Sequence, residues 1–127
     1  MKRTTITVLS LVVLATCALW SASLFAEGGK EAKSITVKGE ILDLACYLDH
    51  GASGAKHQQC ALNCLKSGQP MGLLAADGKV YLLLADHANG KPFEEAKGYA
   101  ALQVEVTGPA SDRAGMSGLT VQSVKKV

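Results

Sequence analysis

Residues 71–85, "MGLLAADGKVYLLLA", set two apolar runs on either side of Asp77-Gly78. Asp-Gly is a preferred two-residue hairpin turn, because both positions tolerate the positive φ it requires. Residues 71–76 and 79–85 are therefore expected as paired antiparallel strands. Toward the N-terminus, "SITVKGEILDLA" (34–45) alternates apolar and polar residues at Ile35, Val37 and then Ile41, with Gly39 as a bulge or bend. Toward the C-terminus, "KPFEEAKGY" (91–99) reads as a short helix. Pro92 suits its first turn, Glu94 and Glu95 suit the positive end of its dipole, and Gly98 stops it. "LQVEVT" (102–107) alternates, Gly108-Pro109 breaks the pattern, and "LTVQSVKKV" (119–127) alternates again. That leaves "ASDRAGMSG" (110–118) as a mobile loop.

The order is strand, insert, strand-turn-strand, helix, strand, strand. Five strands with a helix between the third and fourth follow the order of the OB-fold. The expected class is mainly β: a five-stranded OB-like Greek-key barrel, with a helical insert between strands 1 and 2 and a short helix between strands 3 and 4. An open α+β sandwich is the alternative. The ending "VTGPASDRAGMSGLTVQSVKKV" (106–127) resembles the last two strands of exported bacterial OB-like domains. The whole pattern resembles small exported bacterial proteins with such a domain and a Cys-containing helical insert. That resemblance implies a fold and export, and it brings no activity with it.

Lys2 and Arg3 precede an apolar run from Ile6 to Leu19, and small residues gather from Ser21 to Ala26. This is the layout of a secretory signal, with cleavage expected after Ala26 and Ser23 as a second candidate. Left uncleaved, the run approaches the ~20 residues that span a bilayer. The expected plan is a signal at 1–26, a flexible leader "EGGKEAK" at 27–33, and one OB-like domain at 34–127 with the Cys/His insert at 46–68. Such a protein is periplasmic or secreted, and touches a membrane only through an uncleaved signal. The formal charge of +2 belongs to Lys2 and Arg3; beyond them, cations and anions balance. A neutral domain has no attraction for phosphate backbones. Its aromatics are only Tyr47, Tyr81, Phe93 and Tyr99, too few for base stacking, so nucleic acid is excluded as the expected partner.

The chemistry lies in "CYLDHGASGAKHQQCALNCLKSG" (46–68), which holds three cysteines and two histidines. Cys17 would leave with the signal, so Cys46, Cys60 and Cys64 remain, an odd count that forbids complete internal pairing. Ser53 is expected to cap a helix from about residue 54 to 66 that ends at Gly68. At about 100° per residue, His57, Cys60 and Cys64 share an arc of roughly 60° on its inward stripe, with Ala61 at the border. Cys46 closes the first strand and meets the stripe if the helix folds back on the barrel.

Three readings follow. Cys46, His57, Cys60 and Cys64 form a Cys3His set, a known combination for zinc, and soft thiolates also suit Cu(I). His50 is a spare donor. The C-x3-C spacing resembles the copper-binding pair of Sco-type chaperones, although those carry Pro after the second cysteine where Leu65 stands here, and their fold is thioredoxin-like. In the second reading, Cys46 bridges to Cys60 or Cys64 in an oxidising compartment, stabilising by ~3 kcal/mol and leaving one thiol. The third reading is a thiol redox enzyme, which needs a cysteine of depressed pKa; C-x3-C is not the usual C-x-x-C pair.

Covalent haem is excluded by the lack of C-x-x-C-H, and no nucleotide fingerprint or Ser-His-Asp order occurs. Asp86-His87 reads as a turn. The expected function is a non-enzymatic exported domain, with no catalytic residues, that binds Zn or Cu(I) through Cys46, His57, Cys60 and Cys64. Its partner is the ion or another exported protein. The rival is a disulfide-stapled interaction module without metal.

Overall fold

The strand Ser34–Asp43, β1, closes the barrel because it pairs along both edges. A computed structural model describes residues 32–127; the signal expected at 1–26 and most of the leader lie outside them. After β1 come α1 (Leu44–His50), a 3-10 turn (Ala55–His57), α2 (Gln58–Lys66), β2 (Met71–Ala75) and β3 (Val80–Ala85). The chain continues through α3 (Lys91–Lys97), β4 (Gln103–Arg113), β5 (Met116–Val121) and β6 (Ser123–Lys126).

The C-terminal half of β1 pairs with β2, from Gly39↔Ala75 to Asp43↔Met71. Its N-terminal half pairs with β4, from Ser34↔Pro109 to Glu40↔Gln103. β2–β3 and β4–β5 are antiparallel, and β3–β5 is parallel. The result is a closed, mixed five-stranded barrel of OB type, with β6 as an extra strand on β4. Helices lie between strands 1 and 2 and between strands 3 and 4, as the sequence led us to expect.

Alternation fills the interior. Val104 and Val106 are fully buried, as are Ile41, Leu73, Leu119 and Val121, while Gln103 at the start of β4 faces out. Ala61 and Leu65 of α2 and Ala96 of α3 join the same core. Each such Leu, Ile or Val contributes roughly 1.5–3 kcal/mol over an exposed position.

Four local expectations are corrected. The Asp77-Gly78 hairpin forms, but with three loop residues: Ala75 N–H bonds the Lys79 carbonyl at 2.9 Å, and only Gly78 is left-handed (φ 84°). That geometry is a type I turn ending in a glycine bulge. Gly108-Pro109 does not end a strand, since β4 runs through it. The register of β4 against the C-terminal segment slips by one residue here, from Ala110↔Leu119 to Thr107↔Ser123. This bulge splits the expected last strand into β5 and β6 at Gln122, whose N–H bonds the Thr107 carbonyl at 3.0 Å. A proline is tolerated at a bulge because the ladder is already interrupted. Gly108 is required there, because a Cβ would collide with the Thr120 carbonyl.

The expected loop at 110–118 is instead a hairpin, turning on Ala114 (φ 47°) and Gly115 (φ 82°). Two successive left-handed residues make the turn that matches strand twist. Finally, the insert is not one helix capped by Ser53. It comprises α1, the 3-10 turn and α2, and Cys46 sits inside α1 rather than at the end of a strand. Among the described residues, no helix is long and apolar enough to cross a membrane.

Candidate metal centre

Asp43 ends β1 and caps α1. Its Oδ1 accepts the Ala45 N–H at 3.0 Å, satisfying one of the free donors of the first turn. Leu44 then packs over Gly72, where a Cβ would collide with it, so the first turn of α1 lies close on β2. The Leu44 N–H is taken by the Pro70 carbonyl at 3.0 Å. α1 ends at Gly51 in the left-handed conformation, with its N–H on the Tyr47 carbonyl at 2.8 Å.

The returning segment is tied to the barrel by Gly54, whose N–H donates to Glu40 Oε1. α2 follows and is anchored by Ala61 and Leu65, which are its inward residues. The cysteine stripe lies beside that apolar face rather than on it. Cys60 is exposed, and Cys64 and His57 are half-buried.

This geometry gathers all four expected donors and adds a fifth. Donor atoms of Cys46, His57 and Cys60 all lie within 4.8 Å of one another. So do those of Asp43, Cys46 and Cys64, so Cys46 belongs to both groups. The Cys/His cluster can therefore hold a metal ion. Asp43 is on the strand where the sequence reading placed it, but its burial beside the thiols escaped that reading; the Asp at a strand-to-helix boundary, three residues before Cys46, was the signal available.

His50 is in neither group. Its Nδ1 pairs with Asp49 Oδ2 at 3.1 Å, and its ring stands edge-on to His57 with centroids 6.2 Å apart. Asp86 and His87 lie beyond β3, where the Asp86 carboxylate accepts the Ala88 N–H at 2.8 Å, a turn as expected.

Among the described residues no disulfide is formed: Cys46, Cys60 and Cys64 are free thiols. The staple reading is corrected on this point. It required Cys46 at a strand end facing one helix cysteine. From the first turn of α1, Cys46 instead lies near Cys60, Cys64 and the Asp43 carboxylate together.

The electrostatics suit a cation. Asp43 is 1% exposed, and its Oδ2 has no hydrogen-bond partner; nor does the buried Nε2 of His57. Leaving a buried polar atom unpaired costs about 1–3 kcal/mol, and more for a charged group. Burial alone would raise the Asp43 pKa, but the Cys46 and Cys64 thiols and the N–H groups of Ala45 and Cys46 hold it below its ordinary value. In return, the Asp43 carboxylate pushes the Cys46 thiol up to about 12, with burial and Cys64 adding to the effect. Cys64 is raised in the same way, first by Asp43, then by burial and by Cys60. Without metal, the site thus holds a carboxylate beside the protonated thiols of Cys46 and Cys64.

The chain matches no family model, no curated protein and no solved structure. The likeness to an OB-fold accordingly rests on element order and on the barrel itself.

Proposed function

We propose that this domain binds a soft or borderline metal ion, zinc or copper(I), through Cys46, His57, Cys60 and Cys64. The observation that carries the reading is the gathering of three free thiols about His57 and Asp43, each of which has a buried polar atom without a partner, His57 Nε2 and Asp43 Oδ2. Native proteins rarely leave such atoms unpaired, and metal coordination is a way to satisfy an atom of this kind. Cys60 at the surface gives the site an open side, which suits a protein that loads and releases its ion. A redox enzyme is the weaker reading, because disulfide exchange needs a thiolate, and Asp43 keeps Cys46 protonated. The positively started apolar segment at 6–19 supports export, which would place the site in the periplasm or outside the cell.

Intact-mass measurement of protein recovered from the periplasm, under native and then denaturing conditions, tests this. The expected result is bound Zn or Cu in the native spectrum and full alkylation of Cys46, Cys60 and Cys64 after denaturation. A metal-free protein two hydrogens lighter than the reduced chain would overturn the proposal in favour of the staple.

A further inference from the structure

The donors are divided, and the division is informative. One group holds two sulfurs and a nitrogen (Cys46, Cys60, His57); the other holds two sulfurs and a carboxylate oxygen (Cys46, Cys64, Asp43). They overlap only at Cys46, and each contains one buried polar atom without a partner, His57 Nε2 in the first and Asp43 Oδ2 in the second. An ion held by the first group leaves Asp43 unsatisfied, and an ion held by the second leaves His57 unsatisfied. Resting on the metal reading above, we propose that the cluster takes two borderline divalent cations of the zinc class, with the Cys46 thiolate shared between them.

Charge supports two ions. With the thiols ionised, Cys46, Cys60, Cys64 and Asp43 bring four negative charges together, and among the described residues Asp43 has no ion-pair partner. A buried charge is strongly unfavourable unless compensated. One divalent ion would offset half of this charge; two would offset it all. The donor types support the class. Thiolates select copper(I), zinc and iron–sulfur clusters, whereas carboxylates suit harder ions. Zinc accepts sulfur, imidazole nitrogen and carboxylate oxygen alike, which is the combination present. A thiolate has lone pairs enough to bind two ions at once, and the position of Cys46 in both groups gives it that place. Loading releases the three thiol protons to solvent and changes no oxidation state.

The test is a zinc titration of the full chain under reducing conditions, read by native mass spectrometry, counting equivalents that survive a weak competing chelator. Two equivalents are expected for the wild type. Asp43→Asn keeps a good helix cap and should bind one. His57→Gln should also bind one, retained by Asp43, Cys46 and Cys64. Cys46→Ser should lose both. Saturation of the wild type at one equivalent would overturn the two-ion inference while leaving the metal reading intact, and no bound ion would overturn both. Two equivalents in Asp43→Asn or in Cys46→Ser would also overturn the inference, because the second ion would then lie elsewhere.

Discussion

Asp43 caps the helix that carries Cys46 with one carboxylate oxygen, while its other oxygen is buried beside that helix's thiol without a hydrogen-bond partner. One side chain therefore serves the fold and the site through different atoms. Its two roles separate by substitution. Asp43→Ala removes the cap and should destabilise the metal-free protein by about 1–2 kcal/mol. Asp43→Asn should recover most of that loss, because its amide oxygen still accepts the Ala45 N–H. Urea unfolding of the three proteins measures the difference, and equal losses for Ala and Asn would show that the cap contributes nothing.

The same residue sets an acid response. The folded state lowers the Asp43 pKa, so its contribution to stability is fully present above the ordinary carboxylate value of 3.8 and is lost as pH falls through the lowered value. Metal-free wild type should weaken on that descent more than Asp43→Asn does. Thermal unfolding at a series of acid pH values follows it; parallel profiles for the two proteins would remove Asp43 from the account.

Metal affinity should rise with pH. Ligation requires thiolates, and Asp43 pushes the Cys46 thiol up to about 12, so its proton is still in place throughout the neutral range. Every proton displaced makes the apparent affinity increase by about tenfold per pH unit. Competition titrations with a chromophoric chelator between about pH 6 and pH 8 read that slope. A flat profile would mean that the ion is not held by the Cys46 sulfur.

How much of this was legible beforehand depends on how each segment marks its boundaries. The hairpin at 71–85 is written in Asp77-Gly78, and the buried face of β4 in the alternation of Val104 and Val106. At Leu42–Leu44, by contrast, the chain passes from strand to helix with no glycine or proline to announce it. Leu42 and Leu44 are both buried and fit either period, so the strand seemed to run on past Asp43 and Cys46 looked like its end. His57, Cys60 and Cys64 could be grouped from spacing, because a short helix keeps i, i+3 and i+4 neighbours together whatever its exact start. Their burial could not, since the apolar pair Ala61 and Leu65 claims the inward face one position round from the cysteines. The hairpin turn at Ala114-Gly115 was hidden because alanine is an unusual residue at positive φ.

Gly108→Ala tests the bulge that replaced the expected strand break. The added methyl would strike the Thr120 carbonyl, and backbone on the other strand cannot swing away as a flexible side chain can. The expected cost is about 2 kcal/mol or more, among the larger effects of single substitutions. A Tm within a degree or so of wild type would show that β5 and β6 move apart there without penalty.

Leu65 couples the barrel to the site. It is fully buried in the core, on the same helix as Cys60 and Cys64, and it anchors α2 to the barrel. Leu65→Ala should cost about 2–5 kcal/mol through lost contacts and the cavity left behind. It should also weaken metal binding, because a helix that shifts on its footing carries two of the three thiols out of register with Cys46. Leu48, on α1 and 79% exposed, is the control: Leu48→Ala should change stability by about 0.5 kcal/mol at most. Calorimetric stability and zinc affinity, measured on both variants, separate the two effects. If Leu65→Ala folds less stably yet binds metal as tightly as wild type, the insert holds its donors without help from the barrel core.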